Sequence, residues 1–147
     1  MKKIFTLILL VSFGFITRIE AQAPGDITMI LQKCIDLPDL QQFFPVNNDG
    51  SLKQLYVLQH GVSFPSNTNV LKSGLKVRFV DKNQLAAEEI KSYFIFWEFA
   101  IDNNSAKVDF IYHFMDADNT PKMYHAKLEM IKSGDEWLVS GTKEERR

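Results

Sequence analysis

The order of apolar and polar residues predicts an α+β fold, with an N-terminal helix packed on a curved antiparallel β-sheet that ends in a four-strand meander. Three observations carry this reading. Ile27, Ile30, Leu31, Cys34 and Ile35 follow the i, i+3, i+4, i+7, i+8 spacing of a helix with one buried face. From Ser92 onward, four segments rich in aromatic and β-branched residues alternate with period two and are separated by short turn-forming clusters. The registers that pair these segments apolar to apolar agree across all four.

Met1 to Ala23 precedes the domain and has the layout of a secretory leader. Lys2 and Lys3 form a positive start, Ile4 to Ile16 is a mostly apolar run of 13 residues, and Ala21-Gln22-Ala23 supplies small residues. As a helix that run covers only about 20 Å, short of a hydrocarbon core of roughly 30 Å. Cleavage is expected after Ala21 or Ala23, leaving residues 24–147 as a single α+β domain without a membrane span. Cys34 lies too far from the apolar run, behind Gln32-Lys33, to take a lipid. The expected location is therefore the periplasm or the cell exterior.

Within the domain, Asp26 is placed to cap the first helix and Pro38 to stop it. Cys34 falls on the apolar stripe, so its thiol is expected to be buried. Leu40 to Phe44 reads as a short turn, Leu52–Gln59 and Leu75–Val80 as strands, and Gln84–Lys91 as a helical turn. The meander strands are Ser92–Ile101, Ala106–Met115, Lys122–Ile131 and Trp137–Lys143. Asn103-Asn104 and Gly134-Asp135 are read as two-residue hairpin loops, and Asp116–Pro121 as the turn between them.

These loops give registers. The first hairpin pairs Phe99–Val108, Trp97–Phe110, Ile95–Tyr112 and Tyr93–Phe114. The second pairs Phe114–Tyr124, Tyr112–Ala126, Phe110–Leu128 and Val108–Met130, and the third Met130–Val139 and Lys132–Trp137. Trp97, Phe99, Phe110 and Tyr112 thereby become core. The opposite face is mixed, with rows Glu98–Asp109–Glu129–Ser140, Phe96–Ile111–Lys127–Thr142, Phe94–His113–His125–Glu144 and Ser92–Met115–Met123. Its candidate ligand-binding residues are Phe94, Phe96, Glu98, Asp109, Ile111, His113, His125, Lys127 and Glu129. Three carboxylates in one row repel, so Lys107, Lys127, a cation or a raised carboxyl pKa should compensate. His113 opposite His125 could share a divalent metal. The end, Lys143-Glu144-Glu145-Arg146-Arg147, reads as a frayed, solvated tail.

Composition removes several function classes. Lys+Arg number 17 against Asp+Glu 18, so no broad charge draws the protein to nucleic acid. One cysteine forms neither an internal disulfide nor a multi-cysteine zinc site. A Gly-rich phosphate loop and the HExxH, GxSxG and CxxC motifs are missing from the sequence. His60, beside Gly61, reads as a surface residue.

A leading amphipathic helix, a less regular middle and a meander closing with Gly134-Asp135-Glu136-Trp137-Leu138-Val139 resemble small exported bacterial cystatin-like and NTF2-like domains. The resemblance implies a curved sheet wrapped around a helix. NTF2-like domains carry two or three leading helices where this sequence has one. Some members of that fold group use a pocket Asp/His pair and others have no known activity, so the resemblance transfers no catalytic residue.

The function expected from the sequence is an exported, non-catalytic binding or accessory domain, without a cofactor. Its partner would be an envelope protein or a small ligand, and its state a monomer or weak dimer. Two other readings stand beside it. One is a small pocket enzyme or ligand carrier, with His113 or His125 working beside Glu98, Asp109 or Glu129 in a cavity near Phe94 and Phe96. The other is a divalent-metal-binding envelope protein.

Overall fold

A computed structural model describes residues 24–147, so the expected leader and its cleavage site lie outside the described residues. Helix α1 (Pro24–Ile35) is followed by a 3-10 turn (Pro38–Phe43) and strand β1 (Tyr56–Leu58). Strands β2 (Leu71–Lys72), β3 (Leu75–Lys76) and β4 (Arg78–Val80) come next, then helix α2 (Lys82–Ala87). The chain finishes in β5 (Tyr93–Asp102), β6 (Ser105–Met115), β7 (Pro121–Ser133) and β8 (Glu136–Arg146). The fold is α+β, built on a six-stranded sheet in the order β4-β1-β5-β6-β7-β8 with β2-β3 as a separate ribbon. Among the described residues, no helix is long and apolar enough to cross a membrane.

The sheet is mixed where an antiparallel one was expected. β5 to β8 form the antiparallel meander, but β1 runs parallel to both β4 and β5. Parallel neighbours need a crossover, and α2 supplies one by carrying the chain from β4 to β5 across β1. The Asp81 carboxylate caps α2 by accepting from Gln84 N–H, while the Gln84 side chain accepts from Asp81 N–H. That capping box starts the helix at Lys82 rather than Gln84.

The expected strand Leu75–Val80 is split. Ser73 and Gly74 both take positive φ, closing a tight hairpin between β2 and β3. Val77 then donates to Val70 O at 2.9 Å and is buried, so β4 begins one residue later in the main sheet. The expected strand Leu52–Gln59 shortens to β1, with Leu52 bridging Val46 instead.

One face of the meander receives α1. Ile30, Leu31, Cys34 and Ile35 are fully buried with Phe94, Phe96, Phe110, Tyr112, Tyr124 and Trp137 in one apolar cluster. Each of the Ile, Leu and Phe side chains in it contributes about 1.5–3 kcal/mol of burial free energy. Burial also pushes the Cys34 thiol pKa up, which leaves it protonated and inert. Asp26 does not cap α1. It lies in the first turn, and its carboxylate accepts from Lys132 Nζ at 2.8 Å and Trp137 Nε1 at 3.0 Å. The helix is thus tied to the β7–β8 hairpin.

Two registers differ from those the apolar pattern selects. In β5 a bulge at Trp97 sets Trp97 and Glu98 together opposite Asp109, and Phe96, not Trp97, pairs with Phe110. Phe94 and Phe96 therefore join the core, and Trp97 is 51% exposed. The bulge departs from regular pairing at the Phe96 carbonyl, which accepts from Val62 N–H at 3.2 Å. Gly61, with φ of +80°, allows that approach, since a Cβ there would lie 3.0 Å from the same oxygen. Between β6 and β7 the pairing moves by two residues, giving Tyr112–Tyr124, Phe110–Ala126 and Val108–Leu128. The core face is unchanged by an even shift. Asp116 fixes the loop by accepting from the N–H groups of both Asp118 and Thr120, and Asn119 takes positive φ.

Candidate functional site

The observed registers rebuild the mixed face. Asp109 pairs with Lys127, and Lys107 with Glu129, so two acids expected to face each other each face a lysine. Opposite charges across a strand pair favour this register where the expected one set Asp109 against Glu129. Glu98 remains opposite Asp109. His113 pairs with Met123 and His125 with Ile111, so the two imidazoles are not cross-strand partners. Among the described residues, no group of three or more His, Cys, Asp or Glu side chains comes close enough to hold a metal ion.

The same register joins His125 to Asp109 along the diagonal. His125 Nε2 lies 2.6 Å from Asp109 Oδ1, and Lys127 Nζ lies 3.2 Å from Oδ2. A carboxylate only accepts, so Nε2 carries the proton and Nδ1 is the ring nitrogen left for another partner. The Asp109 side chain is 18% exposed against 30% for His125 and 58% for Lys127. The carboxylate is thus the shielded element that orients two more exposed groups.

Of these groups His125 and Lys127 border an open hollow of about 370 Å³, lined also by Ile111, Met123, Lys143, Glu145 and Arg147. Ile111 and Met123, both half-buried, supply apolar surface. Lys143, Glu145 and Arg147 were not legible as site residues, because their segment reads as a charged tail. It is instead strand: β8 runs to Arg146, and Arg147 and Met123 exchange backbone hydrogen bonds at 2.8 and 3.0 Å. A bulge between Glu129 and Met130 turns this half of β8 by one residue, so Lys143 faces Lys127 and Glu145 faces His125. Thr142, Glu144 and Arg146 on the other face are polar as well, so no period-two contrast in the sequence marks this end of the strand.

The other expected site residues lie elsewhere. Phe94 and Phe96 are fully buried on the core face and do not reach the mixed face. Glu98 and Glu129 are exposed and do not line the hollow. His113 stacks on Tyr93 with ring centroids 4.8 Å apart. The pair borders a second shallow hollow with Leu85 and Ile90, which places the segment after α2 over that end of the mixed face. His60 is exposed and meets Trp97 edge-on.

Burial holds the His113 imidazole below its ordinary 6.5. A group whose folded pKa is depressed contributes stability above its unfolded pKa and loses it as pH falls through the folded value. Stability is therefore expected to decline as pH drops below about 6.5, and His113→Phe should flatten that decline. Urea midpoints measured between pH 7.5 and 5 check this; an unchanged slope in the variant would refute it.

Comparison of the chain with protein-family models, with curated proteins and with solved structures finds no match in any of the three.

Proposed function

We propose that the protein is an exported, non-catalytic binding domain that holds a small ligand in the hollow over His125. The carrying observation is the combination of a half-buried apolar floor with an imidazole held by Asp109 at 2.6 Å. Concave sites of this kind bind through apolar surface and orient through a few fixed polar groups. The leader-like start of the sequence supports export, and the helix-on-sheet layout supports a cystatin-like or NTF2-like arrangement. The residues lining the hollow include no Ser, Thr, Cys or Tyr whose hydroxyl or thiol His125 could activate, so an imidazole-activated nucleophile of that kind is not assembled there.

A second reading rests on the same 2.6 Å contact. An imidazole oriented by a carboxylate is the arrangement of a general acid/base, so His125 could move a proton on a bound molecule.

A fragment panel followed by amide and methyl NMR tests the proposal. Hits should perturb Ile111, Met123 and His125 together and lose at least tenfold in affinity in His125→Ala. Hits that map elsewhere, or that bind this variant unchanged, would overturn it. Conversion of a bound fragment that is lost in His125→Gln would instead establish the acid/base reading.

A further inference from the structure

We infer that the ligand of this hollow is a free, small amphipathic monoanion, an aliphatic chain with one negatively charged end; the inference rests on the hollow being the binding site. The argument is one of charge and position. Three cationic side chains line the hollow, namely Lys127, Lys143 and Arg147. Two of them are engaged by acids. Lys127 pairs with Asp109, and Arg147 donates to both Glu145 oxygens at 3.1 Å. Among the described residues, Lys143 has no acidic side chain at ion-pair distance, and it lies directly opposite Lys127 across the β7–β8 ladder. Like charges in that position repel, and a single anion between them relieves the repulsion and balances the one surplus charge.

The rest of the hollow selects what the anion is attached to. From the lysine row the face proceeds to Ile111 and His125, then to Met123. Four strand steps separate Lys127 from Met123, about 13 Å, a span on the scale of an eight-carbon chain together with its charged head group. Ile111 and Met123 give that chain apolar contact, and the free His125 Nδ1 lies between head and tail. A bare inorganic anion would leave this apolar surface unused, and a cation would meet Lys143.

Matched probes test the inference on the full domain: octanoate, 1-octanol, octylammonium and acetate, each titrated by amide and methyl NMR. Octanoate should perturb Ile111, Met123 and Lys143 and bind at least tenfold tighter than the other three. Lys143→Gln, an exposed position, should reduce octanoate binding to the octanol level while leaving the remaining spectrum unchanged and the melting temperature equal or slightly higher, since it also removes the repulsion from Lys127. Equal binding of octanol, or tighter binding of octylammonium, would overturn the anion assignment while leaving the hollow as a binding site. If no probe perturbs the hollow and the fragment panel also fails there, the underlying reading falls as well. Binding to phosphatidylglycerol vesicles without any response to free octanoate would overturn the inference in favour of a membrane-facing surface.

Discussion

Replacing Asp26 with Ala should lower the stability of the domain by about 2–3 kcal/mol, since it removes a charged acceptor from two donors at once. The Lys132–Asp26 pair is well shielded, with 25% and 14% of the side chains exposed. Loss of the carboxylate strands the Trp137 indole N–H, on a side chain that is itself fully buried, and leaves the Lys132 ammonium without its partner. Asp26→Asn should cost less, because the amide oxygen still accepts from Trp137 while the ion pair is gone. Thermal melts and urea titrations of the three proteins give the order wild type, Asn, Ala; equal stability of all three would show that α1 is not anchored through this residue.

The same contact sets a pH dependence at the acid end. Hydrogen bonding from Lys132 holds the Asp26 carboxyl below its ordinary 3.8, and Trp137 adds to that effect against the opposing effect of burial. A carboxyl depressed in the fold contributes stability above its unfolded pKa, and that contribution disappears as pH falls through the folded value. Wild type should therefore lose stability below about pH 4 in a way that Asp26→Asn does not. This acid loss is separate from the one expected of His113, which begins two to three pH units higher and has burial as its cause.

How far the sequence was legible follows from what each pattern can detect. Periodicity detects which face a residue belongs to, so β6 and β7 kept their apolar set of Val108, Phe110, Tyr112, Tyr124, Ala126 and Leu128. It is blind to an even shift, because moving a strand by two residues preserves the faces. The polar face and the loop chose between the alternatives. Setting Asp109 opposite Lys127 and Lys107 opposite Glu129 removes the repulsion that the other register created, and the Asp116 turn fixes the loop length. The acid row was itself the warning. His125 and Asp109 were both candidates, but only the shifted register brings them to 2.6 Å. Bulges are harder to see, since one extra residue flips everything on one side of it. The bulge in β8 hid the strand character of Glu144 to Arg146, beyond the expected end at Lys143, and that in β5 exchanged Trp97 for Phe96.

The exchange in β5 yields opposite expected results for two adjacent aromatic residues. Phe96 is fully buried among Phe64, Phe94, Phe99 and Phe110, with ring centroids 5.1 to 6.3 Å apart within this group. Phe96→Ala should cost about 3–5 kcal/mol, the range for emptying a large aromatic site in a core that cannot collapse. Trp97 is half in solvent, with His60 against its edge, so Trp97→Ala should cost no more than about 1 kcal/mol. A regular β5 without the bulge predicts the reverse order, because it buries Trp97 opposite Phe110 and turns Phe96 outward. Denaturation of the two variants decides between them, and fluorescence gives an independent reading. Trp137 is fully buried, so the solvent-exposed, readily quenched emission belongs to Trp97. Trp97→Phe should leave only blue-shifted emission that acrylamide quenches poorly. Gly61→Ala should then partly undo the arrangement, since its methyl would meet the Phe96 carbonyl at 3.0 Å and the Trp97 ring at 3.4 Å. The loop that holds the bulge in place would have to move, and the Trp97 emission should shift with it.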